Sequence, residues 1–155
     1  MPANSSTTMS VPLPPVIFLA SITAIVLLHY LLPITQLISY PYNLLGLVLI
    51  VLGFLLAGSF WRALRIHKTT THPRGKPTAL VTTGPYAFTR NPGYFGLLLM
   101  ISGAACISGM LSSLIILFIF FSLLNIFVIP YEERKLESIF GSKYKNYRQS
   151  VRRWI

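Results

Sequence analysis

The chain has 155 residues, 54% of them hydrophobic and only 10% charged, with a mean hydropathy of +0.66. This excludes an ordinary water-soluble domain, in which roughly 25% of residues are charged, and reads as an integral membrane protein. Thirteen Lys and Arg against three Asp and Glu give a net charge of +10, and a single cysteine, Cys106, excludes an internal disulfide.

Taken in chain order, residues 1–15 (MPANSSTTMSVPLPP) lack the basic start of a secretory signal, and their Ser, Thr and Pro content reads as a disordered leader. Four apolar runs follow, at 16–32, 44–61, 94–110 and 111–129. At 1.5 Å per residue, seventeen residues span roughly 25 Å, enough for a thin bilayer. No charged residue precedes Arg62, and none lies between Arg90 and Glu132. All cations therefore sit in the segment 62–90 or in the tail 130–155, and the positive-inside rule places both in the cytoplasm.

The predicted architecture is all-α: one domain over 16–155, an integral membrane bundle of four transmembrane helices with a cytoplasmic amphipathic helical tail. Both termini and the basic loop lie inside, while the uncharged turn after Pro33 and a tight turn near Gly109 lie outside. Gly46, Gly53 and Ala57 of helix two and Ala104, Ala105, Ser108 and Gly109 of helix three are the predicted packing faces, with Gly53/Ala57 and Ala105/Gly109 at four-residue spacing. In the tail, apolar or aromatic residues recur at 136, 140, 144, 147 and 151, the pattern of an amphipathic helix, or of two helices hinged at Gly141. Such a tail lies flat on an anionic leaflet or caps the bundle, with Trp154 as an interfacial anchor. Topology accounts for the basic charge and no recognition module is present, so nucleic acid is not an expected partner.

Two stretches carry candidate chemistry. In TTGPYAFTRNPGYFG (82–96), Pro85 and Pro92 fix φ while Gly84 and Gly93 permit unusual backbone. Between them the chain presents Tyr86, Phe88, Arg90 and Asn91 just before helix three. In IPYEERKL, Tyr131, Glu132 and Glu133 follow helix four directly, and adjacent acids are notable where acids are scarce. A structural role is open to both: a membrane-entry turn with a snorkelling arginine, and acids favoured by a helix N-terminus. If helices three and four form a hairpin, both stretches end on one side and Arg90 and Glu133 line one pocket. Aromatic faces, a guanidinium and carboxylates at the lipid boundary suit a sulfonium ligand such as S-adenosylmethionine, because methyl transfer depends mainly on alignment. No metal site is expected: His67 and His72 have no third ligand near them, and His29 reads as a buried or interfacial histidine.

The run LVTTGPYAFTRNPGYFG, followed by EERKLESIFGSKYKNYRQSVRRW, closely resembles the membrane-embedded isoprenylcysteine carboxyl methyltransferase and phospholipid methyltransferase superfamily, over about residues 62–155. The resemblance implies an S-adenosylmethionine cleft formed by the ends of helices three and four and the tail, open sideways to the bilayer for a lipid-like or small hydrophobic acceptor. It carries Gly84, Pro85, Tyr86, Arg90, Asn91, Pro92, Tyr94, Tyr131, Glu132 and Glu133 to the cofactor site, with Arg90 and Glu133 most needed for turnover. Phe140, Gly141, Tyr144 and Tyr147 also fit the pattern, as packing of the tail over the cleft. Asn91 departs from the histidine usual in the isoprenylcysteine enzymes and cannot titrate near neutral pH. The acceptor, whether a prenylcysteine-type carboxylate, a phospholipid amine or a small thiol, stays open. The competing readings are an NADPH-dependent membrane reductase similar to sterol reductases and a non-enzymatic basic scaffold.

Overall fold

A computed structural model describes residues 14–70 and 77–155. Residues 1–13 of the expected leader, and His72, Arg74 and Lys76 of the basic loop, lie outside the described residues. Six α-helices follow in order: α1 (Pro14–Leu31), α2 (Leu45–Ile66), α3 (Pro92–Ser108), α4 (Leu111–Leu123), α5 (Ile129–Phe140) and α6 (Ser142–Ser150). Short 3-10 turns at Tyr42–Leu44 and Gly84–Ala87 precede α2 and α3, and a π-helical turn, Leu124–Val128, joins α4 to α5. Among the described residues there is no strand, only one isolated bridge between Gln36 and Met110.

Three helices are long and apolar enough to cross a membrane, Pro14–Leu31, Tyr42–Ile66 and Leu111–Phe140, and Pro92–Ser108 is a shorter apolar helix. Their boundaries correct the expected ones at several points. Pro14 and Pro15, assigned to the leader, open α1, as prolines can where no N–H is needed. Helix two runs past Trp61 to Ile66, because lysines and arginines are good helix formers even where hydropathy ends. Pro92 occupies the first turn of α3, two residues earlier than expected.

The largest correction is at helix four. The tail was expected to begin after residue 129, yet the helix continues through Pro130 to Phe140. Proline lacks the donor for an i→i−4 bond and its ring crowds the preceding turn. Here the turn just before it is widened, with the N–H of Ile129 bonded to the carbonyl of Leu124, five residues back, so the helix passes the ring without breaking. It ends at Gly141, whose φ of +54° turns the chain into α6.

Helices α2 and α3 are antiparallel and meet through glycine. Gly46 faces Gly103 and Gly53 faces Gly96, a seven-residue register. The predicted helix-three face is extended: Ala105 is buried in the bundle core with Ala104 packed against it, Gly96 and Gly103 make the crossing with α2, and Gly109 is the left-handed cap of α3, with φ +69°. The carbonyl of Gly109 accepts the N–H groups of Leu37 and Ile38, at 2.8 and 3.1 Å, which ties the α1–α2 link to the α3–α4 turn.

Two apolar clusters result. Ile17 and Ile25 of α1, Ile101 and Ala105 of α3, and Phe120, Leu124, Val128 and Ile129 of the α4–α5 run form the bundle core. The second cluster caps one end of the bundle: Ala63 and Leu64 of α2, Val81 and Tyr86 of the loop, and Tyr144 and Tyr147 of α6, with Leu136, Phe140 and Val151 packed against them. The five periodic positions of the tail thus face protein and close the bundle. Every described cation lies at this end, beside the start of α3 and the end of α2.

The glycine crossing makes a signed prediction. A Cβ on Gly53 would stand 2.7 Å from the Gly96 carbonyl oxygen, whereas one on Gly58 meets nothing within 4 Å. Gly53→Ala is therefore expected to lose about 1–3 kcal/mol from overpacking. Gly58→Ala should be neutral or gain up to about 1 kcal/mol through helix propensity. Unfolding of both variants in detergent, followed by circular dichroism, checks the difference, and equal effects would refute the crossing.

Candidate functional site

The loop between α2 and α3 is shaped by its own residues before anything else touches it. Gly84 takes φ +64° and opens the 3-10 turn, Pro85 sits at its second position, and the N–H groups of Phe88 and Thr89 are both turned onto the Pro85 carbonyl at 3.3 Å. This geometry buries Tyr86 and leaves Phe88 exposed. The Tyr86 ring packs near Phe60, and its carbonyl accepts the Tyr147 hydroxyl at 2.7 Å. Tyr86 and Tyr147 thus join the loop to α6.

Burial raises the phenols of Tyr86, Tyr144 and Tyr147 above the ordinary tyrosine value. Tyr147 and Glu132 add to the rise at Tyr86. Tyr144 is pushed up to about 12, with Glu133 adding to the burial effect and Arg90, Arg148 and Arg153 opposing it. At Tyr147 the neighbouring Tyr144 adds and Arg90 opposes. All three are neutral donors at physiological pH.

Arg90 and Glu133, expected to meet, do meet. Arg90 Nη2 lies 3.0 Å from Glu133 Oε1, and both side chains are almost wholly buried, at 9% and 7% exposure. Arg90 also donates through Nη1 to the Arg148 carbonyl at 3.2 Å, while its Nε is buried without a hydrogen-bond partner. The other oxygen, Glu133 Oε2, is held by Arg153 Nη2 at 2.8 Å. A buried carboxylate is tolerable only when paired and hydrogen-bonded, and here two guanidiniums share it.

The neighbouring acid faces elsewhere, as successive helical residues must, about 100° apart. Glu132 Oε1 accepts the Tyr94 hydroxyl at 2.5 Å, which connects α5 to α3. Pro92 is buried at the start of α3. Tyr131, placed in the cofactor site by resemblance, is 38% exposed. Asn91 is buried and points at the end of the chain: its Nδ2 donates to the Arg153 carbonyl at 3.1 Å.

That chain end supplies residues the sequence reading passed over. Thr89 Oγ1 also donates to the Arg153 carbonyl, at 2.9 Å, and the Arg90 N–H donates to the Arg152 carbonyl at 3.0 Å. Asn125, in the π turn, accepts from Arg153 Nη1 and from Trp154 Nε1, both at 3.3 Å. A signal for Asn125 was present, since it is the lone amide in the apolar run 111–129 and intramembrane polar groups mark function or buried partners. Arg153 carried none beyond its charge.

The histidines lie outside this cluster. His67 Nδ1 bonds the Ala63 carbonyl at 2.9 Å, and His29 Nδ1 meets Ser108 Oγ at 3.1 Å at the opposite end of the bundle. Among the described residues no three His, Cys, Asp or Glu side chains converge as metal ligands. A surface depression of about 580 Å³ lies on the outer face of the α5–α6 elbow, lined by Arg134, Glu137 and Lys145. Its ion pairs, Glu137 with Lys145 at 3.7 Å and with Arg148 at 3.5 Å, are solvent-screened and contribute little. The buried cluster around Glu133 is the chemically distinctive place.

The sequence profile of the family described as phospholipid methyltransferase matches residues 42–143. Two rice proteins, named as probable protein-S-isoprenylcysteine O-methyltransferases from Oryza sativa subsp. indica and subsp. japonica, are 35% identical over 118 residues, which cover 68% of this chain and 56% of each relative. The chain thus spans little more than half the length of these curated relatives. An uncharacterized protein of Haemophilus influenzae is 51% identical over 37 residues, 24% of this chain and 59% of that protein. No solved structure gives a significant match.

The Tyr147–Tyr86 link generates a test. Tyr147→Phe leaves the buried Tyr86 carbonyl unpaired and is expected to cost about 1–3 kcal/mol at neutral pH. A raised phenol pKa stabilises the fold fully below the unfolded value and loses that stability as pH climbs through the folded one. Wild type should therefore weaken from about pH 10 upward, and Tyr147→Phe should show a shallower alkaline decline. Chemical unfolding at pH 7, 10 and 11 reads both, and an unchanged slope would contradict the burial of Tyr147.

Proposed function

The chain belongs to the phospholipid methyltransferase family, an integral membrane methyltransferase family, and from that premise we propose that it moves a methyl group from S-adenosylmethionine to an amphiphilic acceptor at the charged end of its bundle. The observation that carries this reading is the buried Arg90–Glu133 pair, assembled from two distant motifs, together with the unpartnered Nε of Arg90. A buried donor with no acceptor costs about 1–3 kcal/mol, and an anionic ligand group removes that cost.

The residues present fit S-adenosylmethionine. It is an amino acid, a nucleoside and a sulfonium in one molecule, and when bound it supplies a methyl group that an electron-rich acceptor displaces. Arg90 offers its free donor to the carboxylate, Glu132 is an acid for the cationic groups, Glu133 holds Arg90 in place, and Tyr86 and Tyr94 offer aromatic faces. Gly84, Pro85 and Pro92 hold this set in place. Asn91 acts on the chain end, and Tyr131 borders the site. No dedicated base is needed for a carboxylate or thiolate acceptor, whereas an amine has to lose a proton before attack.

What supports a lipid-like acceptor is the flank of the bundle. An apolar groove of about 310 Å³ runs between α3 and α4, lined by Leu98, Ser102, Leu114, Leu117, Phe118 and Phe121. Phe121 packs against Trp154, at 5.4 Å between ring centroids, so the groove leads toward the chain end at the site. The names of the rice relatives make an isoprenylcysteine carboxylate one candidate, and the family description makes a phospholipid another.

In the bilayer, α1, α2, α3 and the continuous run Leu111–Phe140 form four spans, of which α3 is the shortest. Exposed Tyr30, Tyr40 and Tyr42 mark one interface, and exposed Trp61 and Phe88 the other. Because the cations gather at the second, that end, the site and both termini face the cytoplasm. The protein's partners in this reading are the bilayer, the methyl donor and the acceptor.

Isothermal titration of detergent-solubilised protein with S-adenosylhomocysteine is expected to show saturable binding, weakened at least about tenfold by Arg90→Gln or Glu133→Gln. NADPH should give no saturable heat. No binding of S-adenosylhomocysteine by folded protein would sink the donor assignment, and saturable NADPH binding would favour a reductase. For topology, single cysteines at Tyr40 and at Lys143 in a Cys106→Ser background should be labelled by an impermeant maleimide from opposite sides of inside-out and right-side-out vesicles. Labelling of both from one side would refute the four-span arrangement.

A further inference from the structure

The last residues of the chain have neither helix nor strand of their own, yet three elements hold them. Thr89 and Asn91 both donate to the Arg153 carbonyl, the Arg90 N–H bonds the Arg152 carbonyl, and Asn125 Oδ1 receives both Arg153 Nη1 and Trp154 Nε1. Segment 151–155 is thus a strap laid between the loop before α3 and the π turn after α4.

The π turn is what lets one helix serve both ends of this strap. In an uninterrupted α-helix, eight residues separate Asn125 from Glu133 by about 80° around the axis. The extra residue accommodated by the π turn takes back about one 100° step and leaves roughly 20°. Asn125 and Glu133 therefore share a face, and Arg153 touches both.

Arg153 takes Glu133 in the side-on fork that guanidinium and carboxylate prefer, through Nη2 to Oε2 at 2.8 Å and Nε to Oε1 at 3.4 Å. This leaves Arg90 only Oε1, reached through Nη2 at 3.0 Å. With no competitor, Arg90 is free to fork onto Glu133 in the same way and to bring its Nε into that pair. The unpartnered Nε of Arg90 is thus the counterpart of Arg153's grip on the carboxylate.

We propose that Arg153 is a positioning residue of the methyl-transfer site, which occupies the Glu133 carboxylate so that the Arg90 Nε stays available to the ligand. The site is incomplete without the strap, and Asn91 and Asn125 belong to it as the groups that dock Arg153. This rests on the S-adenosylmethionine reading above, because the ligand offered to Arg90 is that donor.

The test uses the full chain in detergent with Trp61→Phe, so that Trp154 alone reports whether the strap is docked. S-adenosylhomocysteine is titrated into this background, into Arg153→Gln and into Arg153→Lys. The expected result is affinity lowered at least about tenfold in Arg153→Gln and only partly recovered in Arg153→Lys, which keeps the charge but cannot fork onto both oxygens, with Trp154 emission unchanged throughout. Equal affinity in Arg153→Gln and the background overturns the proposal. So does a loss of affinity accompanied by a red shift of Trp154, whatever Arg153→Lys does, since the strap then merely holds the fold. A background protein with blue Trp154 emission that does not bind S-adenosylhomocysteine removes the donor reading, and this proposal with it. Binding by the background but not weakened in Arg153→Gln removes this proposal alone.

Discussion

A carboxylate buried at the end of an apolar bundle sets the terms for this molecule. Desolvating one ion costs several kcal/mol unless paired charge offsets it, and Glu133 is nine-tenths or more buried with two guanidiniums on it. Meeting that demand requires a loop cation from before α3, a tail cation from the last residues, and a helix that delivers the carboxylate to both. The loop glycine, the π turn and the fold-back of the chain end can each be traced to that requirement.

The bundle that carries the site is built on the opposite principle. Between lipid-facing helices little hydrophobic force favours association, and close packing has to supply it. Gly46 and Gly53 against Gly103 and Gly96 bring α2 and α3 near enough for backbone contact, which fixes the ends of both helices relative to each other. Those ends carry the loop with Arg90, so the rigidity of the crossing becomes the rigidity of the site. At the far end His29, Ser108 and Ser113 form a half-buried hydrogen-bonded chain, Ser113 Oγ donating to Ser108 Oγ at 2.7 Å, which ties α1, α3 and α4 together.

Much of this was legible in the sequence, for reasons that differ by feature. Hydropathy located the apolar helices because a bilayer demands uninterrupted apolar length, and the periodic residues Leu136, Phe140, Tyr144, Tyr147 and Val151 were recognisable as one buried face. The meeting of Arg90 and Glu133 followed from a helical hairpin that returns both motifs to one end. Hydropathy misplaced the end of helix two at the first arginine, since it measures lipid preference and not backbone bonding. It misplaced the end of helix four because a π turn depends on what surrounds a proline, not on the proline alone. Gly96 and Gly103 were passed over because a four-residue spacing of small residues does not say which face meets an antiparallel neighbour. The strap was invisible, since five residues without periodicity reveal their partners only in three dimensions.

The same strap gives Asn91 its meaning. The resemblance led to the expectation of a residue turned toward cofactor, where related enzymes carry histidine, but the side chain donates instead to the Arg153 carbonyl, next to Thr89 doing the same. An amide suits that task well: Nδ2 is a donor at every pH, whereas an imidazole donates from a given nitrogen only in the right tautomer or when charged. An asparagine at this position therefore keeps the docking of the chain end independent of proton concentration around neutrality. The adjacent glutamates divide in a related way. Glu133 is committed to two cations that fix its orientation, while Glu132 is engaged by the Tyr94 hydroxyl and lies a third of a turn away. Of the two acids, the one less bound to protein cations at these distances is the one with more freedom to meet a cationic ligand in the proposed site.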